Sequence, residues 1–414
     1  DRTPRLQVRA DVPVGAYLSG GLDSSLIVAL LKHFTDVPLR TFSLRFEDAE
    51  FDESDYQHAL VKSLGTEHTE IVCSARDIAA AFPRTVYHTE APILRTAATP
   101  LMVLSGHVRE AGYKVVLTGE GADEVMAGYD LFKEAAVRRF WARNRNSRMR
   151  PALLARLYPY LAHSPAATPA YAQRFFGQNL DAISQPYFAH LPRWQTTQRC
   201  WQFFGEGLRD ALAGRDMAAS LAADLPAEIS AWAPLARDQY VEAHTLLSDY
   251  LLATQGDRVA MANSIEGRVP YLDHRVIEFC NSLPARYKLM GLKEKFLLKR
   301  VARSLLPARI HTRHKQPYRA PDMKSFFQNE RAVPYVEDLF DDAHMRARGY
   351  FDPMATRKLF EKCRRGRAIG FADNMAFVGI LSTMLLDAHF IRQGAKDLPA
   401  ARGSETVYRQ AAMA

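Results

Sequence analysis

Cysteine is scarce in this chain, and its placement excludes more than its number does. Four cysteines, Cys73, Cys200, Cys280 and Cys363, are spread over 414 residues. They form no C-x-x-C pair and no metal-ligand spacing, which excludes a disulfide framework and a cysteine-bound zinc. Scattered thiols suit a reducing compartment, so a cytoplasmic setting is expected. Long apolar runs are missing too, and no stretch is expected to span a membrane. Methionine is absent from the start, which reads Asp1-Arg2-Thr3-Pro4 and has no mark of a signal peptide. A processed or trimmed piece of something longer is expected. What remains is an ordinary globular composition, 48% hydrophobic and 24% charged, with a core large enough for two or three domains. The net charge of +8 is modest for this length. Seven arginines fall between Arg138 and Arg156, interleaved with Phe140 and Trp141. No recognition motif accompanies them, so a solvated helical face is expected and no nucleic-acid partner.

The richest stretch is Val14-Gly15-Ala16-Tyr17-Leu18-Ser19-Gly20-Gly21-Leu22-Asp23-Ser24-Ser25, followed by an apolar run. It reads as a short buried strand, a glycine turn, and a helix whose first turn carries Asp23 and Ser24. Strand, turn and helix start present backbone N–H groups and a positive helix end to an anion. The serines add hydroxyl donors, and Asp23 can hold a magnesium ion beside phosphate oxygens. A plain strand–helix turn would need glycine only for its dihedrals. There is no P-loop lysine and no G-x-G-x-x-G here.

Residues 1–130 alternate strand and helix. Strands are expected at 39–46, 67–72 and 114–118, and helices at 54–64, 75–82 and 101–110, with Gly65 and Pro83 as stops. Alternating units of this kind imply a parallel sheet with helices on both faces and a ligand at the carboxyl ends of its strands. A second cluster, Thr118-Gly119-Glu120-Gly121-Ala122-Asp123-Glu124, leaves a strand of that sheet. It can be an acidic helix cap, yet at the same edge Asp23 and Asp123 can share one magnesium ion. A helical insertion without chemistry is expected over 131–240, broken near Ser164-Pro165 and Pro169. A helical region follows over 241–395, including a helix over 293–306, and then a flexible tail over 396–414. Within it, Glu266–Arg268 and Asp273–Arg275 are candidate ion pairs embedded in apolar helix sequence. Arg258 lies just before them, and Lys315 sits on a basic loop.

In this order the pieces resemble the synthetase domain of glutamine-hydrolysing asparagine synthetases. The matching stretches are 18–25, 117–124, 261–273 and the loop around Lys315, and the first also resembles the S-G-G-x-D-S loop of ATP pyrophosphatases. The resemblance implies an α/β fold of the adenine nucleotide alpha hydrolase type, with ATP and Mg²⁺ as cofactors. It assigns Ser19, Gly20, Gly21, Asp23, Ser24 and Ser25 to pyrophosphate, and Leu18, Leu44, Thr118 and Gly119 to the adenosine or α-phosphate. Asp23 and Asp123 match metal ligands, Glu120 a glutamate that serves adenylation and ammonia, and Lys315 a lysine that meets phosphate charge. Glu120, Glu124, Arg258, Glu266 and Arg268 are candidates for the acceptor substrate. The implied reaction adenylates a carboxylate, aspartate in the family, and ammonia then displaces AMP. The family's glutaminase domain, in cis or in trans, would supply that ammonia from glutamine, and a homodimer is among the expected states. Two departures bear on the acceptor: Met126-Ala127-Gly128-Tyr129 stands where the family has Phe-Gly-Gly-Tyr, and the loop at 93–99 differs. β-Lactam synthetases and lasso-peptide cyclases, which form internal amides on the same scaffold, are the alternative.

Overall fold

A computed structural model describes residues 2–36, 38–48, 50–158, 168–367 and 370–392. The expected tail, and residues 164–167 of the expected break, lie outside them. Five parallel strands form the central sheet: β1 (Val14–Tyr17), β2 (Arg40–Phe46), β3 (Glu67–Cys73), β4 (Val115–Leu117) and β5 (Glu266–Arg268). Their order is β3-β2-β1-β4-β5. The alternation of strands and helices in the sequence therefore yields the parallel sheet expected of it. Side chains leave a strand to alternate faces. Val115 and Leu117 of β4 accordingly join the cluster under the Leu22–Phe34 helix, whereas Val116 joins the one under the Ala98–Glu110 helix. Both faces are covered, as a parallel sheet requires.

The fifth strand is a correction. Its residues, Glu-Gly-Arg, have neither alternation nor β-branching, and the sequence places them in helical surroundings. Backbone pairing alone makes the strand: Glu266 N–H donates to the Lys114 carbonyl at 2.8 Å, and Thr118 N–H to that of Arg268 at 2.9 Å. The expected pair Glu266–Arg268 does form, at 2.7 Å, and so does Asp273–Arg275, at 2.6 Å.

Pro83 does not stop its helix either, which runs over Ala75–Thr89 behind a capping box of Ser74 and Asp77. A proline inside a helix leaves the carbonyl four residues back without its donor. Here that carbonyl belongs to Ala79, and the Tyr335 hydroxyl donates to it at 2.9 Å. The chain has replaced a missing N–H with a phenol from a distant segment. Tyr335→Phe should therefore cost about 1–2 kcal/mol in denaturant unfolding, and less in a Pro83→Ala background, where the helix N–H is restored. Equal costs in both backgrounds would show that the phenol does not stand in for the N–H.

A second core surrounds the Phe371–Leu386 helix, where Phe377 packs against Phe326 and Phe340. Contrary to the sequence expectation, Phe371–Arg392, 22 residues with an 18-residue window of mean hydropathy 1.4, is by length and composition alone long and apolar enough to cross a membrane. Its window is 61% buried within the fold, which marks it as a core helix. The arginine-rich segment is also not a wholly solvated face. Arg138 is fully buried and donates to the carbonyls of Phe176, Gln178 and Phe188 at 2.8–3.1 Å. Arg139 forms a two-pronged bond with the buried carboxylate of Asp238 at 2.5 and 2.6 Å.

Candidate active site

Strand order reverses between β1 and β4, because β2 and β3 lie on one side of β1 and β5 lies beyond β4. The crevice above such a switch point is where open α/β sheets bind ligands. Both sequence clusters open there: residues 18–25 leave β1, and residues 118–124 leave β4.

The first turn is organised by its own serines. Ser19 N–H donates to Ser24 Oγ at 3.1 Å, and the two hydroxyls lie 3.0 Å apart. Gly20 holds φ at 76°, and a Cβ there would lie 2.9 Å from Cβ of Tyr56. The turn thus requires glycine for its dihedral and for its closeness to the next helix. The Leu22–Phe34 helix starts at Gly21 with no side-chain cap, so its first-turn N–H groups remain for a ligand. Gly119 borders that start, where a Cβ would lie 2.8 Å from Ser24 N. Ser25 points inward instead: it is fully buried, and its hydroxyl bonds the Gly21 carbonyl. Arg313 clamps the turn from outside, donating to Gly20 O at 3.3 Å, bonding Glu53 and stacking on Tyr56.

Asp23 and Asp123 do come together, and two lysines join them. Lys295 Nζ lies 2.7 and 2.6 Å from the Asp23 oxygens and 2.6 Å from Asp123 Oδ1. Lys315 Nζ lies 2.6 Å from Asp123 Oδ2 and 3.7 Å from Asp23 Oδ2. Burial alone would raise the Asp123 pKa, but the two lysines outweigh it and hold the carboxyl below its ordinary value. Burial likewise opposes the charge on Lys315, and Asp123 and Asp23 overcome it and push its pKa well up. Asp123 and Lys315 are thus ionised near neutral pH.

Lys295 is the residue that the sequence reading misses. The helix expected from residue 293 begins at Phe296, and Lys295 precedes it in a left-handed conformation with φ of 49°. That bend turns the lysine inward to near-complete burial. Its neighbour Glu294 is buried among Lys133 and Lys299, at 3.4 and 2.7 Å, and accepts from Lys315 N–H at 3.2 Å. Burial would raise the Glu294 pKa, yet these cations bring it down to about 2. Glu294 thereby fixes the backbone of the Lys315 loop. Gly128 completes the packing, since a Cβ there would fall 2.0 Å from Asp123 Oδ1 and 2.1 Å from Lys295 Cε.

Glu120 lies beside this cluster. Burial raises its pKa to about 7, with Lys315 acting against the rise. Glu124 is buried, accepts from the Tyr129 hydroxyl at 2.9 Å, and has a pKa raised by burial to about 8. Ala127, at one of the departures from the family pattern, has φ of 54°, a conformation that favours glycine. Leu18 is buried and its N–H donates to Phe42 O at 2.8 Å, and the Leu44 carbonyl accepts from Gln57 at 3.0 Å. Thr118 pairs through its backbone with β5. Three acceptor candidates have partners that account for their charges. Arg258 pairs with Glu90 at the surface, and Glu266 with Arg268, which also donates to the carbonyls of Gln7 and Arg9.

Among the described residues no group of three or more His, Cys, Asp or Glu is placed to hold a metal. Two facing carboxylates are nevertheless the donor set magnesium takes when phosphates and water supply the rest. Asp23 and Asp123 therefore fit such an ion.

The fold is the α/β class of the adenine nucleotide alpha hydrolase-like proteins. The chain belongs to the asparagine synthase family, whose profile, described as Asparagine synthase, matches residues 1–387. It is 32% identical over 321 residues to a putative glutamine-hydrolysing asparagine synthetase of Mycobacterium tuberculosis, covering 76% of this chain and 46% of that one. It is 28% identical over 327 residues to asparagine synthetase 1 (glutamine-hydrolysing) of Bacillus subtilis, covering 78% and 49%. It is also 25% identical over 389 residues to Amidase chyE of Penicillium rubens, covering 86% and 56%. The chain spans about half the length of these relatives.

Proposed function

We propose that this chain is an ATP-dependent amide ligase that activates a carboxylate as its acyl adenylate and passes the acyl group to ammonia. The observation that carries the reading is the meeting of Asp23, Asp123, Lys295 and Lys315 beside an uncapped helix start at the switch point. The turn at residues 19–24 and the free N–H groups of that helix hold the departing pyrophosphate. Attack of the carboxylate oxygen on the α-phosphorus breaks the bond to the β-phosphate oxygen, and negative charge grows on the phosphate oxygens. Lys315 and Lys295 are already in place to meet it, and preorganised charge of this kind stabilises a transition state without rearrangement. Asp23 and Asp123 would hold Mg²⁺, which supplies further neutralisation of phosphate charge. In the second half, ammonia attacks the acyl carbon and AMP leaves. The attacking nitrogen must lose a proton, and Glu120, with a pKa near 7, is matched to take it.

Aspartate is the carboxylate that the named asparagine synthetases suggest, giving asparagine, AMP and pyrophosphate, with ammonia supplied by a glutaminase domain in a cytoplasmic setting. A second reading, amidation of another carboxylate, is favoured by the departure at Met126-Ala127-Gly128-Tyr129, which lies against Glu124 and Asp123. Exchange of labelled pyrophosphate into ATP tests the proposal. Exchange dependent on aspartate, and asparagine on adding ammonium chloride, are expected. Exchange with other carboxylates but not with aspartate selects the second reading, and exchange with none overturns both.

A further inference from the structure

Residues 313–322, which carry Lys315, form neither helix nor strand. Such a strap has no hydrogen-bonded ladder of its own, so side-chain contacts must place it. Lys315 is anchored on one side, where its N–H donates to Glu294 at 3.2 Å. Arg313, two residues earlier, supplies the other side. Its guanidinium donates to the Gly20 carbonyl at 3.3 Å, bonds Glu53, and donates to Gln316 Oε1 at 2.8 Å. It also lies 3.9 Å from the centre of the Tyr56 ring. One planar group thus joins the turn at residues 19–24, the start of the Ser54–Leu64 helix and the strap itself.

Further along the strap side, Arg319 meets Glu50 at 3.4 Å, and Lys324 lies 3.9 Å from both Asp48 and Glu50. A basic segment therefore lies along the acidic one that follows β2. These outer pairs are exposed and contribute little. Arg313 differs from them, with a side chain 11% exposed against 31% for Arg319 and 67% for Lys324.

Lys315 Nζ stands 2.6 Å from Asp123 Oδ2, and a group that meets phosphate charge must be held in place. A displacement of about 1 Å can cost roughly 100-fold in rate. We propose that Arg313 is a positioning residue that pins the strap to the Gly20 turn and so keeps Lys315 in register with Asp23 and Asp123. This rests on the amide-ligase reading and adds to it a group that acts from outside the charged cluster. Lysine in place of Arg313 keeps the charge but loses the planar fork and the stack on Tyr56, so it replaces the pin only in part.

The test compares the full chain with Arg313→Met, Lys315→Ala and the double variant, by exchange of labelled pyrophosphate into ATP with the carboxylate that serves the wild type. Arg313→Met should slow exchange at saturating ATP at least about 30-fold, while the Michaelis constant for ATP moves less than about threefold. In the Lys315→Ala background the same substitution should cost less than about threefold, because the residue it positions is gone. A second readout needs no turnover: acetylation of lysines by acetic anhydride, located by mass spectrometry. Lys315 should acetylate at least about fivefold faster in Arg313→Met, with Lys295 still protected, since only the strap has opened. Equal losses in both backgrounds, or a raised Michaelis constant with an unchanged maximal rate, would overturn the proposal. So would Lys295 and Lys315 becoming reactive together, which is the mark of a structural role. A wild type that exchanges no pyrophosphate with any carboxylate would overturn the ligase reading, and the acetylation pattern would still decide whether Arg313 holds Lys315.

Discussion

Asp123→Asn should lower pyrophosphate release roughly 30- to 1000-fold at saturating ATP, a loss of about 2–4 kcal/mol of transition-state stabilisation. Asp123 is the one carboxylate within 2.6 Å of both lysines. As asparagine it would lose the negative charge that holds Lys315 in register and that the proposed magnesium site shared with Asp23 requires. The two ammonium groups would be left to a single carboxylate, with Lys315 already 3.7 Å from it. The chain should stay folded, because Lys295 keeps both of its contacts to Asp23. A rate within a few-fold of wild type would remove Asp123 from the chemistry.

Lys295→Met should have the larger effect on stability. The substitution keeps most of the side-chain volume and removes the cation between two buried carboxylates. Removing one partner of a buried ion pair typically costs about 3–5 kcal/mol, because the remaining charge is left uncompensated. Lys315 offsets part of this, being nearer the surface and already bound to Asp123. Denaturant unfolding without nucleotide should therefore show a loss of about 3 kcal/mol or more. Adding Mg²⁺ should recover part of that loss, since a cation that binds the folded state alone stabilises it. Unchanged stability would mean that Lys295 is not the counter-charge its contacts describe.

Much of this was legible in the sequence, for a local reason. The turn at residues 19–25 and the loop at 118–124 are each defined by consecutive residues, and both leave strands with strong apolar runs. Alternation of strands and helices then places them at one edge of a parallel sheet. Lys295 was not legible, because its role depends on one left-handed residue that delays the start of an expected helix and on partners 272 and 172 positions away in the chain. The strand at residues 266–268 was missed because backbone pairing with β4, not side-chain propensity, creates it. Pro83 read as a helix stop because a phenol donated from residue 335 cannot be seen from residue 83. Arg138 read as solvated because only the fold supplies three carbonyls around a guanidinium. Local motifs are visible in a sequence, and replacements made by distant segments are not.

Cleavage of ATP between the α- and β-phosphates is what the proposed function requires of this site. Chromatography of the spent nucleotide, after incubating the chain with ATP, Mg²⁺, aspartate and ammonium chloride, tests it most directly. AMP and pyrophosphate in equal amounts, with no ADP, are the expected products. Stoichiometric ADP and inorganic phosphate would contradict the account.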